Sequence, residues 1–107
     1  MIFHAPFLFL LFFMNYTVYI LYSQLNNQIY IGFTSNLINR FKSHNESGHD
    51  WTAKFRPWHV IYCEYFLEKK EAMGREKQLK QYRQRLKIRE KIASEFQKKG
   101  FINLKAV

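Results

Sequence analysis

Two short runs in which apolar and polar residues alternate, 16–23 and 28–33, are separated by Gln24-Leu25-Asn26-Asn27. Both are rich in tyrosine and β-branched residues, which favour a pleated, half-buried strand. An Asn-containing turn between two such runs predicts a β-hairpin. Strand side chains point alternately to opposite faces, so the loop's parity decides which residues meet. A loop of two residues (26–27) or four (24–27) puts odd positions of the first strand on one face with even positions of the second. With four, Leu21 lies opposite Tyr30, and Tyr19 is diagonal to Tyr30 on the same face. A loop of three or five would place the two phenols on opposite faces.

Thr34-Ser35-Asn36 is an N-cap cluster, and the periodicity after it predicts a short amphipathic helix over 37–44 that stops near 45–48. Residues 48–57 read as a polar, basic loop ending at Pro57, and 58–66 as a third alternating strand. Helices are predicted over 69–82 and 86–99, the second from Ile88, Ile92 and Phe96 spaced four apart, with Gly100 as its C-cap and 101–107 as a tail. The order β-β-α-β-α-α describes a small α+β domain, an antiparallel sheet covered by helices.

Charge narrows the function. Lys plus Arg number 17 against 8 acids among 107 residues, a net +9. His4 aside, the first charged residue is Arg40, so the whole excess falls on residues 40–107. A one-signed region of that kind points to a polyanion, nucleic acid first and anionic membrane second. A hydrophobic content of 48% excludes disorder, and the single Cys63 excludes a disulfide framework or a thiolate zinc cluster. Residues 7–14 are continuously apolar and residues 5–22 carry no charge, approaching the ~20 residues of a membrane span. No basic residue precedes the run and no small-x-small site follows it, unlike a secretory signal. The preferred reading makes 1–13 an appendage, arising from translation upstream of the natural start. The domain then covers 14–99, opened by Met14, with the tail at 100–107. A membrane anchor over 5–22 is the lesser alternative.

Glu76 is the residue that a bland core does not explain. With Ala72 at 0° on the helical wheel, Glu76 falls at about 40° and Leu79 near 340°, inside the apolar stripe. A carboxylate there is costly unless it is paired or holds a metal; the structural alternative is an ion pair with Arg40 or a lysine of its own helix. Arg40 and His44, four apart, both border the buried stripe of the first helix. An arginine fork suits phosphate oxygens, though it can equally lie over an aromatic ring.

Thr17-Val18-Tyr19, the eleven-residue step to Tyr30-Ile31-Gly32, Arg40 and His44 in the next helix, the basic loop leading to Arg56-Pro57-Trp58, and Glu71-Ala72-Met73-Gly74-Arg75-Glu76-Lys77 together resemble the GIY-YIG nuclease superfamily, in its small single-domain members. The resemblance runs from about residue 16 to 92. It implies a three-stranded antiparallel sheet flanked by helices, a cytoplasmic setting, and Mg²⁺- or Mn²⁺-dependent hydrolysis of phosphodiesters in DNA, or RNA, with no small-molecule cofactor. Carried over, Tyr19 and Tyr30 are the motif tyrosines, Gly32 the motif glycine, Arg40 the phosphate-side arginine and Glu76 the metal ligand. One tyrosine, or His44, would activate the attacking water. Gly32, Lys54 and Arg56 are the expected nucleic-acid contacts. Thr17 stands where the motif has glycine. Phe33 follows the second glycine where some members carry lysine, so no lysine takes that role. A catalytically silent nucleic-acid-binding module of the same fold is the alternative.

Overall fold

The computed structural model describes residues 15–99; the appendage expected over 1–13, Met14, and the Gly100 cap with its tail lie outside them. Three strands, β1 (Tyr16–Ser23), β2 (Gln28–Thr34) and β3 (His59–Phe66), form one sheet in the order β2-β1-β3. Both pairings are antiparallel. The helices are α1 (Leu37–Lys42), α2 (Lys69–Leu79) and α3 (Tyr82–Lys99). The expected α+β order, β-β-α-β-α-α, is the observed one.

The hairpin takes the four-residue form. Leu21 pairs with Tyr30, and Tyr19 with Gly32. The loop closes through a 3₁₀ turn, Leu25–Asn27, with Asn27 at φ 51°, a left-handed conformation that asparagine tolerates better than most residues. The Tyr22 hydroxyl donates to Asn27 Oδ1 at 2.7 Å.

Alternation gives the sheet two covered faces. On one, Val18, Ile20, Ile29, Ile31 and Ile61 pack beneath Ala72 and Leu79 of α2 and Ile88 and Ile92 of α3. On the other, Tyr19, Leu21 and Trp58 form a smaller core with Tyr30, and with Leu37 and Phe41 of α1 and Phe55 closing over it. Each fully buried apolar side chain of this kind contributes roughly 1.5–3 kcal/mol.

The connections depart from the expected boundaries. The first helix ends at Lys42, not 44, and opens into a wider π-helical turn, Ser43–Ser47. The basic loop contains a 3₁₀ turn, Trp51–Phe55, whose N-terminus the Asp50 side chain caps. The break between α2 and α3 is only Lys80 and Gln81, earlier and shorter than expected, because no glycine or proline marks it. Among the described residues, no helix is long and apolar enough to cross a membrane.

Candidate active site

Tyr19 projects from the central strand into the smaller core, where its side chain is 1% exposed. Its hydroxyl lies 2.9 Å from His44 Nε2, and His44 Nδ1 lies 3.0 Å from Thr52 Oγ1. Thr52 Oγ1 in turn donates to Asp50 Oδ1, which also accepts from the Thr52 backbone N–H at 3.0 Å. These partners fix the direction of every bond. An ionised carboxylate only accepts, so the threonine hydroxyl gives its proton to Asp50 and accepts from His44 Nδ1–H. Neutral His44 then presents Nε2 as an acceptor, and Tyr19 donates to it. The result is a one-way chain, Tyr19 to His44 to Thr52 to Asp50.

The electrostatics match that tautomer. Burial, then the Arg40 and Arg56 charges, holds His44 below its usual range, while Asp50 pulls the other way. Its hydrogen bonds with Thr52 keep Asp50 below the ordinary carboxylate range. Burial, and next the adjacent Tyr30, push the Tyr19 phenol far above the ordinary value; the Arg40 charge opposes this and the Glu76 charge adds to it. Tyr19 is therefore a neutral phenol on which an arginine and a carboxylate from two different helices both act.

Tyr30 completes the cluster. Its ring centroid is 4.5 Å from that of His44 and 6.1 Å from that of Tyr19. Tyr30 is only partly buried and lines an open hollow, so it is the phenol that solvent reaches.

The loop from Ser43 to Trp58 is a scaffold for His44. Arg56 Nε donates to the His44 carbonyl at 2.6 Å, and Arg56 Nη2 to those of Ser43 and Gly48. These carbonyls belong to the π-helical turn and its C-cap, and that of Ser43 also accepts from the Gly48 N–H at 2.7 Å. Asn45 exchanges two hydrogen bonds with the Trp58 backbone, and Trp58 Nε1 donates to the Thr52 carbonyl at 2.8 Å. Arg56, expected at the nucleic acid, is thus engaged with backbone, whereas Lys54 is exposed. Gly32 also has an internal reason: a Cβ there would stand 2.7 Å from the Tyr19 hydroxyl oxygen and 2.8 Å from Cζ. The glycine seats Tyr19, at a position expected from the resemblance to contact nucleic acid.

Arg40 is exposed and its side chain makes no hydrogen bond or ion pair among the described residues, yet its charge acts on Tyr19, His44 and Asp50. Glu76 is not out in bulk water: its side chain is 18% exposed, and Oε1 pairs with Lys80 one turn along α2. The same-helix ion pair weighed from the sequence is therefore present, with Lys80 as the partner. No cluster of three or more metal-binding side chains exists among the described residues. One carboxylate with an oxygen turned to a cation fits a hydrated hard ion such as Mg²⁺, which keeps most of its waters.

Sequence reasoning missed Thr52 and Asp50, and also Glu64. Glu64 is 7% exposed on β3, accepts from Tyr62 Oη at 2.8 Å, and pairs with Arg75 Nε at 2.8 Å. That pair ties α2 to the sheet one residue before Glu76. Its signal was an acid at an inward position of an alternating strand.

The family model of the GIY-YIG catalytic domain matches residues 15–91. A UPF0213 protein of Pediococcus pentosaceus is 40% identical over 80 residues, covering 74% of this chain and 78% of its own. A UPF0213 protein of Clostridium perfringens is 38% identical over 76 residues, covering 70% and 80%. The solution NMR structure of the UPF0213 protein BH0048 of Bacillus halodurans is 29% identical, covers 70% of this chain and 82% of its own, and superposes with a TM-score of 0.45.

Proposed function

This chain belongs to the GIY-YIG family, and from that premise we propose that it is a divalent-metal-dependent endonuclease hydrolysing phosphodiester bonds in DNA. The observation that carries the reading is convergence. Tyr30 of β2 and His44 of the π-helical turn lie against the Tyr19 phenol, and the charges of Arg40 in α1 and Glu76 in α2 act on it.

Each group then has a task. Tyr30, the phenol open to solvent, orients the attacking water. As the water's oxygen attacks phosphorus, its proton passes to the phenol pair, and the Tyr19 proton passes to His44 Nε2. The imidazolium that forms is stabilised through Thr52 by the Asp50 carboxylate. A phenol of pKa ≈ 10 is a poor base alone, so a sink nearer neutrality behind it is the useful arrangement. Arg40, with its fork free, neutralises charge on the transition-state phosphate, an effect typically worth ~10²–10³ in rate. Glu76 would hold Mg²⁺ or Mn²⁺, which polarises the phosphoryl group and stabilises the leaving oxygen. The strong basic excess supplies affinity for the strand, with steep salt dependence.

One observation favours the silent binding module instead: Lys80 already provides Glu76 with a cation. Glu76→Gln separates the two readings. With Mg²⁺ or Mn²⁺ and a panel of duplex, flap, branched and single-stranded DNA, the native chain cleaves at least one substrate. The variant loses cleavage while DNA affinity stays within a few-fold. Undiminished cleavage by the variant overturns the mechanism. Tight binding without cleavage by the native chain establishes the silent module.

A further inference from the structure

A hollow of about 200 Å³ opens along the outer edge of β2, lined by Ile29, Tyr30, Ile31, Trp51, Lys80 and Arg85. It is continuous with the candidate active site at two points: Tyr30 belongs to the phenol cluster, and Lys80 is the partner of Glu76. The rest of its lining has no part in the mechanism above.

Trp51 is 46% exposed, although a ring of its size is usually well buried. It is nonetheless fixed in place. Its ring centroid lies 4.8 Å from Phe55 and 6.1 Å from the buried Trp58, and its turn is capped by Asp50. The indole is therefore a rigid platform with surface left open to solvent. Lys80 and Arg85, on either side of the break between α2 and α3, bring two cations to the same hollow, and no acid lines it. The Arg85 side chain makes no hydrogen bond among the described residues. A flat aromatic beside two cations is what a nucleotide needs, with the base stacking on the ring and the phosphate taking the charges. The volume suits one base and not a base pair. A base inside a duplex already has both faces covered by its neighbours, so only an unpaired one can lie on Trp51.

Resting on the nucleic-acid reading above, we propose that this hollow is a subsite for one unpaired nucleotide of the substrate strand, with its base on Trp51 and its phosphate between Lys80 and Arg85. The nucleotide sits beside the reacting phosphate, because Tyr30 and Lys80 are shared. The subsite makes the protein favour single-stranded or frayed DNA over intact duplex. It also couples strand to metal: a phosphate that draws Lys80 away from Glu76 exposes the carboxylate to the divalent ion.

The chain has two tryptophans, and Trp58 is buried, so indole fluorescence reports on Trp51. Binding is measured on the full chain in EDTA, where no cleavage occurs, with (dT)₈ and a duplex of equal length as probes. (dT)₈ should quench the emission and the duplex should not. Trp51→Ala should weaken (dT)₈ binding by ~5–100-fold, the range expected for one stacked base, and change duplex binding less than two-fold. Trp51→Phe, which can still stack, should recover part of the loss. Lys80→Ala should weaken (dT)₈ yet tighten Mn²⁺, measured by calorimetry without DNA; a merely structural lysine would not move the two in opposite directions. Equal losses for both probes, or none for either, overturn the subsite. If Trp51→Ala keeps the native preference while Glu76→Gln still abolishes cleavage, the subsite fails and the nuclease reading stands. If neither probe binds the native chain, both fall.

Discussion

Replacing Thr52 by valine tests the hydrogen-bonded chain at the link that sequence reasoning did not find. Valine keeps the branched shape but removes the hydroxyl, and Thr52 is fully buried. On one side, Asp50 loses a donor but is exposed, so water replaces it at little cost. On the other, His44 Nδ1–H has only Thr52 as partner in a site closed to water. A buried donor left unsatisfied costs about 1–3 kcal/mol. In a domain of this size each kcal/mol moves Tm by ~4–8 °C, so a fall of roughly 5–20 °C is expected by calorimetry. The larger effect is on the tautomer. Without an acceptor at Nδ1, His44 has no reason to keep its proton there, and a proton on Nε2 would face the Tyr19 hydroxyl. Cleavage should fall by ~10²–10⁴, the usual worth of a general base. Thr52→Ser, which retains the hydroxyl, should recover most of the activity. Long-range ¹⁵N–¹H NMR of the imidazole should show the Nδ1–H form in the native chain and its loss in the valine variant. A valine variant with native Tm, tautomer and cleavage, or a serine variant as impaired as valine, would refute the direction assigned to the chain.

Two further outcomes follow from the same geometry. His44 is held below 6.5, so in acid the unfolded chain takes up a proton that the folded one refuses. Stability from this residue is complete above pH 6.5 and declines as pH falls through that value towards the folded pKa. Urea unfolding at pH 8, 6 and 5 should show that decline, and His44→Gln should flatten it; an unchanged slope would mean that His44 is not buried neutral. Gly32→Ala places a methyl 2.7 Å from the Tyr19 hydroxyl oxygen and 3.0 Å from Tyr30 Cε1, inside a packed core. Overpacking of this kind costs ~1–3 kcal/mol, and the displaced phenol should leave His44, so Tm and cleavage fall together. An alanine variant with native activity would show that Tyr19 need not sit on Gly32.

The parts of this molecule that are written locally were legible in the sequence. Strand alternation predicted the hairpin and reduced its register to a question of loop parity, which the structure answers with Leu21 opposite Tyr30, and Asn36 caps α1 through the Asn39 N–H as its position suggested. The helical wheel turned Glu76 away from the solvated face, and its side chain is 18% exposed. What was not legible depends on turns that carry no periodicity. The 3₁₀ turn at Trp51–Phe55 brings Thr52 to His44 across eight residues, and Asp50 is placed by capping that turn. Arg56 looked like a surface cation because nothing in its neighbours reveals three carbonyls waiting at the end of the π-helical turn. Glu64 and Arg75, each ordinary in its own segment, become an ion pair only when α2 lies across β3.

That π-helical turn also explains how two basic residues four apart come to have opposite fates. On a regular helix Arg40 and His44 would border the same buried stripe, and both would pay a similar desolvation cost. The wider turn begins at Ser43, after Arg40 and before His44, and changes the rotation between them. Arg40 stays in solvent, where its charge costs nothing to maintain and can meet a phosphate. His44 turns inward to 1% exposure, where an imidazolium would be expensive. The two positions reinforce each other, because the Arg40 charge is itself one of the influences keeping His44 neutral. A neutral imidazole with a committed Nδ1–H can accept a proton during the reaction, whereas one protonated at rest could not. An anionic phosphate brought to Arg40 offsets that positive charge and raises the proton affinity of His44. In the proposed mechanism the base therefore strengthens when the substrate arrives, and the local widening of one helical turn is what makes the coupling available.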